Sequence, residues 1–231
     1  MDYGLEFGLG QGWARGLRIV FGDVTESSRI DLDRTIHVEQ HHGPTILPAS
    51  PRDAGRIGRA DGVCASGDDF KESGRVLLIK TADCMPLVFV DRERKLVAAV
   101  HAGWRGLQQG IHLNPFDRMG FVPETTWVWV GPCLNGSSFE VGPDMYRQFP
   151  EAEDPRFFPP VGASAPDKRT FNSWAYLEAQ LKARRVELVY NVEVDTYTAP
   201  SFASYRRAVK AGQKLAQQNY SWVGFGEAPL K

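Results

Sequence analysis

The chain has 231 residues, 42% of them hydrophobic and 24% charged, and its 27 basic residues nearly balance 28 acidic ones. This composition is ordinary for a globular protein with a full hydrophobic core. No basic arm or face stands out, so we expect no nucleic-acid partner. No apolar run reaches the length of a membrane span, and the first residues carry no secretory signal pattern. We therefore expect a cytoplasmic protein with no membrane partner. The three widely spaced cysteines, Cys64, Cys84 and Cys133, form no disulfide framework, which fits a reducing compartment.

Short apolar and β-branched runs predict strands through the first half of the chain. These runs are residues 17–21, 35–38, 76–79, 87–90, 96–100 and 127–130. Residues 48–61 are turn-like in composition, because Pro, Gly, Arg and Asp recur there. A short helix is predicted over residues 104–111, with Asn114-Pro115 ending it.

Helices become more frequent in the second half. They are predicted over residues 143–149, with Pro143 in the first turn, over 174–184, with Ser173 as N-cap, and over 205–217. Residues 151–166 read as a loop, and residues 186–194 and 220–225 as strands. Because strands and helices do not alternate regularly, the pattern predicts an α+β fold, a single domain over residues 1–231 with mixed β-sheets flanked by helices.

The first feature that points to chemistry is a predicted β-hairpin. Its two strands, residues 87–90 and 96–100, are joined by the charged stretch 91–95, which reads as an exposed connection. Antiparallel strands run back on themselves, so Cys84 and His101 should meet at the open end of the hairpin. A thiol beside an imidazole suits either metal coordination or nucleophilic catalysis.

The neighbours of these two residues favour a functional site over a buried core. Asp83 is a charge that would be costly to bury unpaired beside Cys84. After His101, Gly103 allows close backbone approach, and Trp104 offers a stacking surface. Arg105 offers a bidentate fork for phosphate or carboxylate. The local composition thus predicts a small anionic or aromatic ligand.

A further histidine would complete a catalytic metal site. His41 and His42 follow a predicted strand, and spacing alone does not choose between them. One cysteine and two histidines leave a fourth tetrahedral position open, as catalytic zinc requires.

Other residues are weaker candidates. Cys133 reads as a packed thiol, and Glu140 as a surface carboxylate or the partner of a basic group. Arg206 and Arg207 stand at a predicted helix start, where their charge opposes the helix dipole, and they indicate either a bound anion or an uninvolved exposed pair.

Six motifs together resemble one known family, the YfiH-like or laccase-domain (polyphenol-oxidase-like) proteins. The resemblance covers roughly residues 35–225 and rests on Gln40-x-His42-Gly43, Thr81-Ala82-Asp83-Cys84-x-Pro86, His101-Ala102-Gly103-Trp104-Arg105-Gly106, Gly131-Pro132, Glu140-Val141-Gly142 and Ser204-Tyr205-Arg206-Arg207. It implies an α+β fold and a zinc ion bound by His42, Cys84 and His101. It also implies purine nucleoside chemistry with phosphate: phosphorolysis of adenosine, inosine or methylthioadenosine, and deamination of adenosine. The laccase name implies copper-dependent phenol oxidation, and some bacterial relatives are linked to peptidoglycan-precursor editing.

The chain departs from the family pattern at three places. Gly22-Asp23-Val24 stands where the family has Thr-Arg-x-Gly-Gly, Asp195-Thr196 replaces Cys-Thr, and Gly212-Gln213 replaces Gly-Arg. Each change removes a candidate contact to phosphate or base.

Three hypotheses about function follow. In the first, a zinc enzyme acts on purine nucleosides, with Asp83, Cys84 and His101 as catalytic residues and His42, Arg105, Glu140 and Arg206 binding substrate. In the second, the protein is a copper oxidase, which ranks lower because five histidines are too few for a multicopper cluster. In the third, Cys84 and His101 form a metal-free hydrolase.

Overall fold

The computed structural model describes residues 4–5, 14, 16–186, 188–226 and 229–231. The strands are β1 (Gly4–Leu5), β2 (Leu17–Phe21), β3 (Ile36–Glu39), β4 (Ile46–Pro48), β5 (Gly55–Arg59), β6 (Gly62–Ser66), β7 (Val76–Thr81), β8 (Met85–Asp91), β9 (Leu96–Ala102), β10 (Thr126–Val130), β11 (Glu140–Val141), β12 (Arg169–Thr170), β13 (Leu188–Asn191) and β14 (Asn219–Phe225). The helices are α1 (Val24–Ser27), α2 (Gly67–Ser73), α3 (Trp104–Gln108), α4 (Asn114–Arg118), α5 (Pro143–Tyr146), α6 (Ser173–Ala183) and α7 (Tyr205–Lys210).

Within the described residues, most strands belong to two six-stranded sheets. The first has the order β1-β2-β14-β7-β3-β5, and the second β13-β10-β8-β9-β6-β4. Both sheets are mixed, because β3 runs parallel to β5 and β7, β4 to β6, and β10 to β13, while the other pairs are antiparallel. Strands β11 and β12 form a separate ribbon.

The core lies in layers that follow from the alternation of side chains along each strand. Leu77 and Ile79 of β7 face Val88 and Val90 of β8 in a buried cluster between the two sheets. Leu87 and the other alternate residues of β8 point the opposite way, into a second buried cluster shared with aromatic residues and the helices of the second half. The α+β fold with mixed sheets and flanking helices is therefore confirmed. That residues 1–231 form one domain stays a prediction.

The predicted hairpin is present and brings the site together. Strands β8 and β9 pair antiparallel, with Met85 opposite Ala102 and Pro86 opposite His101, so Cys84 lies at the hairpin's open end. Strands β3 and β7 are parallel neighbours, and their carboxyl ends lead to His42 and Cys84 at one edge of the first sheet.

The hairpin connection differs from prediction at one residue. Asp91 is fully buried rather than exposed, because its carboxylate accepts hydrogen bonds from Val122 N, Thr125 Oγ1 and the backbone of the turn that follows.

Several predicted boundaries were wrong. Residues 48–61 are not all turn, because β5 lies within them as an edge strand whose Gly and Arg residues hide its β pattern. Asn114-Pro115 begins α4 instead of ending a helix, since proline is tolerated in the first turn. Helix α6 is capped by Asn172, whose side chain accepts from Ala175 N, and not by Ser173. Helix α7 ends at Lys210, before Gly212 adopts a positive φ of 67°.

Helices long and apolar enough to cross a bilayer do not occur in the described part of the chain.

Candidate metal centre

Three predicted ligands meet where the carboxyl ends of β3, β7 and β9 come together. The ligand atoms of His42, Cys84 and His101 all lie within 4.8 Å of one another. Around a tetrahedral zinc ion such atoms would be about 3.5 Å apart, so a small contraction would close the cluster on an ion. The soft thiolate and two imidazoles are a donor set that zinc prefers, and three protein ligands leave a position free. The residues present therefore fit the metal that the sequence predicts.

The backbone around the cluster is shaped to let these ligands approach. His42 has a positive φ of 63°, which turns its side chain away from the course of β3. A Cβ atom added to Gly103 would lie 2.9 Å from His42 Cδ2 and 3.2 Å from Cys84 Sγ. Any larger residue at position 103 would therefore push two of the three ligands apart.

Asp61, which the sequence analysis did not single out, holds two of the ligands, His42 and His101, through hydrogen bonds. It is fully buried, and its Oδ1 lies 2.8 Å from His101 Nδ1. The same carboxylate accepts from the backbone N–H groups of His42, at 2.8 Å, and of Gly43, at 2.7 Å. With Nδ1 held by Asp61, the Nε2 atom of His101 is the nitrogen left to bind a metal.

Asp61 also separates the roles of the two neighbouring histidines. His41 Nδ1 lies 3.1 Å from Asp61 Oδ2, whereas the His42 ring packs edge-on against the His101 ring with centroids 4.9 Å apart. The structure thus places His42 in the cluster and His41 behind it. One signal in the sequence was available: Asp61 is a charged residue directly before the apolar run that becomes β6.

The electrostatics of the cluster favour a thiolate. Burial alone would raise the pKa of the Cys84 thiol, but the charge of His101 and hydrogen bonds from His101 and His42 lower it below its usual value. Burial would lower the pKa of His101, but the Cys84 thiolate and Asp61 raise it. Cysteine binds metals and attacks electrophiles as the thiolate, so Cys84 is prepared for both.

The cluster opens into a cavity of about 640 Å³, which is in the range of small-molecule sites. Asp83, Arg105 and Arg206 line it together with the three ligands. The exposed Arg105 guanidinium lies 4.3 Å from the centre of the Trp104 ring. This stacking holds the guanidinium at the cavity while leaving its N–H groups available to an anion.

Asp83 has a structural task that its sequence position did not indicate. Its φ is 85°, and its two carboxylate oxygens accept from Thr196 Oγ1 at 2.7 Å and from Arg206 N at 2.6 Å. It therefore ties the loop of Cys84 to the start of α7. The chain has Asp195-Thr196 where the family pattern has Cys-Thr. The difference at position 195 leaves the contact between Thr196 and Asp83 intact.

The two arginines at the start of α7 are half-buried, and both guanidinium groups donate to backbone carbonyls; that they bind an anion stays a prediction. Arg206 donates to Ser138 O at 3.2 Å and Glu140 O at 3.0 Å. Arg207 donates to the carbonyls of Thr196, Tyr197 and Phe202. Backbone carbonyl oxygens thus accept hydrogen bonds from both positively charged groups, whose partners the sequence did not reveal.

Two other candidates lie away from the cluster. The Glu140 side chain is exposed, 3.6 Å from Lys168 Nζ, and does not line the cavity; it meets Arg206 only through its backbone carbonyl. Its binding of substrate stays a prediction. Cys133 is a packed thiol, as predicted: it is fully buried and accepts from Trp174 Nε1 at 2.9 Å.

The fold and the cluster define a two-sheet α+β protein with a Cys-His-His site suited to a metal. Residues 22–217 match the family described as multi-copper polyphenol oxidoreductase laccase. The match covers most of the chain, so the chain belongs to this family, and its resemblance to the YfiH-like proteins is confirmed.

Similar proteins carry an enzyme name. Purine nucleoside phosphorylase PA4543 of Pseudomonas aeruginosa is 32% identical over 177 residues, which cover 76% of this chain and 70% of that protein. Purine nucleoside phosphorylase YfiH of Escherichia coli K12 is 30% identical over 183 residues, covering 78% of this chain and 71% of that protein. These names support an enzyme of the purine nucleoside phosphorylase type.

Solved structures show the same fold. Protein NMB0706 of Neisseria meningitidis superposes with a TM-score of 0.70 at 27% identity, over 84% of this chain and 76% of that one. YfiH of Bacillus licheniformis reaches a TM-score of 0.71 at 18% identity, over 91% of this chain and 93% of that one, and supports the fold alone.

Proposed function

We propose that this protein is a zinc-dependent purine nucleoside phosphorylase that cleaves adenosine, inosine or methylthioadenosine with phosphate and also deaminates adenosine. The observation that carries the proposal is the convergence of His42, Cys84 and His101 at the wall of a cavity that also presents Arg105. Purine nucleoside phosphorylases among the relatives supply the substrate class. Zinc bound by the three ligands would supply Lewis-acid chemistry or an activated water.

In phosphorolysis, a phosphate oxygen bonds to C1′ of the ribose as the bond from C1′ to the base nitrogen breaks. The electron pair of the broken bond leaves with the base. Arg105 holds the phosphate, because its stacked guanidinium is exposed and keeps parallel N–H donors for two phosphate oxygens. Arg206 lines the same cavity with part of its donor capacity already used by carbonyls, so it acts as the second and weaker phosphate contact.

For deamination, Asp83 is the proposed proton carrier beside the ligand Cys84. Both of its oxygens accept hydrogen bonds from the protein, from Thr196 and Arg206. Proton transfer at Asp83 must therefore compete with these two contacts.

The test is to incubate zinc-loaded protein with adenosine, with and without phosphate, and to separate the products. Phosphorolysis of adenosine gives adenine and ribose 1-phosphate only when phosphate is present. Deamination gives inosine in both samples, and with phosphate that inosine is cleaved further to hypoxanthine and ribose 1-phosphate. Cys84→Ser is the matched variant, since it removes the thiolate at little cost in volume. The absence of all of these products at full zinc loading would refute the proposal.

A second candidate, a metal-free cysteine hydrolase, is favoured by one specific arrangement. Cys84, His101 and Asp61 stand in the order of nucleophile, base and orienting carboxylate. Stoichiometric zinc that protects Cys84 from alkylation by iodoacetamide would support the metal site. Rapid alkylation that chelator does not accelerate would support the hydrolase.

A further inference from the structure

The motif Ser204-Tyr205-Arg206-Arg207 contains a residue to which the proposed function assigns no task. Tyr205 lines the cavity and is 60% exposed, an unusual state for a large aromatic side chain. Among residues 16–186 and 188–226, none stacks on its ring or hydrogen-bonds its hydroxyl.

The other two aromatic rings that line the cavity beside the histidine ligands are already covered. Trp104 carries the Arg105 guanidinium at 4.3 Å from its ring centre. Phe139 has Arg206 at 5.8 Å on one side and the edge of Phe171 at 5.4 Å. Tyr205 therefore presents the open aromatic face in the described lining of the cavity.

The rest of the motif holds Tyr205 in place. Arg206 N donates to Asp83 Oδ2 at 2.6 Å. Because Asp83 directly precedes the ligand Cys84 in the chain, this bond holds the start of α7 next to the metal ligands. Ser204 caps the helix by accepting from Arg207 N at 3.1 Å. Because both guanidinium groups donate to backbone carbonyls, the two arginines act as anchors of this segment.

We propose that Tyr205 is the stacking platform for the purine base and so sets the preference of the site for aromatic nucleobases. This inference rests on the proposed function, which brings a purine nucleoside into the cavity. A planar base on the Tyr205 ring would cover apolar surface that is otherwise exposed, and the contact needs no hydrogen-bond pattern specific to one base. Adenine and hypoxanthine would then be accepted alike, while phosphate binds separately at Arg105.

Because the proposed function includes deamination of adenosine without phosphate, the experiment measures binding of adenosine by zinc-loaded protein in rapid mixing, before turnover and in the absence of phosphate. KM and kcat for adenosine and phosphate are measured next. Loss of a stacking ring weakens binding of a base by about 5- to 150-fold. Tyr205→Ala should therefore raise the Kd and KM for adenosine at least 5-fold while leaving the KM for phosphate unchanged. Tyr205→Phe keeps the ring and should bind adenosine within 2-fold of the wild type.

Val209 provides the matched control on the same helix. It lies one turn after Tyr205, is 53% exposed and does not line the cavity, so Val209→Ala should leave every constant unchanged. An adenosine Kd for Tyr205→Ala within 2-fold of the wild type would overturn the inference, as would equal losses in Tyr205→Phe and Tyr205→Ala.

The same measurements separate the inference from the proposed function. Adenosine that binds through Tyr205 but is neither cleaved nor deaminated would refute the function and leave the stacking platform standing. Normal turnover in Tyr205→Ala with an unchanged adenosine KM would support the function and refute the stacking platform. Wild-type protein that does not bind adenosine would overturn both.

Discussion

Asp61→Asn is the substitution that tests most directly how the metal ligands are held. It preserves the shape of the side chain but removes its charge and replaces one acceptor oxygen with an NH2 group. If the retained oxygen stays on His101 Nδ1, the new NH2 group faces Gly43 N, a donor that now lies 2.7 Å from Asp61 Oδ2. Two donors would then oppose each other in a fully buried position.

The magnitude follows from these contacts. Hydrogen bonds to a charged group each contribute about 1.5 to 3 kcal/mol, and loss of one buried ionic partner costs about 3 to 5 kcal/mol. We therefore expect Asp61→Asn to lower the free energy of unfolding by about 3 to 5 kcal/mol. Removing a carboxylate that orients a metal-binding histidine lowers metal affinity by about 10- to 100-fold, and we expect the same for zinc here.

Asp91→Asn separates the two effects. Asp91 is equally buried and accepts from Val122 N and Thr125 Oγ1, but it lies at the opposite end of the β8–β9 hairpin and touches no histidine. Both variants should lose stability in urea titrations performed with chelator present. Only Asp61→Asn should lose zinc affinity, measured by competition with a chromophoric chelator. Equal zinc affinities in the two variants would refute the positioning of His101 by Asp61.

Three further predictions concern other parts of the molecule. Arg105→Lys should raise the KM for phosphate about 10-fold, because an ammonium group cannot replace the bidentate fork, and should leave the KM for adenosine unchanged; a change confined to adenosine would contradict this. Cys84→Ser should lose stoichiometric zinc, as measured by metal analysis after dialysis, and zinc retained at wild-type level would count against the site. His112 is buried with both ring nitrogens unpartnered among the described residues, and burial, aided by the charge of Arg184, lowers its pKa to about 4. Between pH 6.5 and 4, His112 is therefore protonated in the unfolded state but not in the folded state. The free energy of unfolding should fall by up to about 3 kcal/mol as the pH drops through that window. His112→Met should flatten the pH dependence of the urea midpoint there, and an unchanged slope would show that other groups dominate.

The sequence predicted the parts of the site that follow from strand pairing. Continuous apolar runs on both sides of a charged stretch define the hairpin, and its geometry places Cys84 beside His101 whatever the rest of the fold does. The choice of His42 over His41 had no such basis. It depends on the left-handed backbone of His42, which turns neighbouring side chains in different directions, and only the family resemblance selected it.

Asp61 was missed for a related physical reason. Its partners are separated from it along the chain by 18 residues for Gly43 and 40 for His101, so no local spacing links them. It also follows β5, whose mixture of Gly and Arg conceals an edge strand within a stretch that reads as turns. A buried carboxylate with distant partners leaves no periodic trace in the sequence, and several partners of Asp61 are backbone N–H groups, which all residue types except proline carry.

The motif at the start of α7 shows that two charges without an evident partner in the sequence can have partners in the fold. Arg206 and Arg207 oppose the helix dipole, and their sequence context indicated an anion. In the structure both guanidinium groups meet carbonyl oxygens, which are partial negative charges that a sequence does not display. The informative residue of the motif is the aromatic one between them and Ser204, because its exposure has no explanation within the fold. The exposed ring of Tyr205, which has no partner among the described residues, is therefore the part of this motif that points to a binding surface.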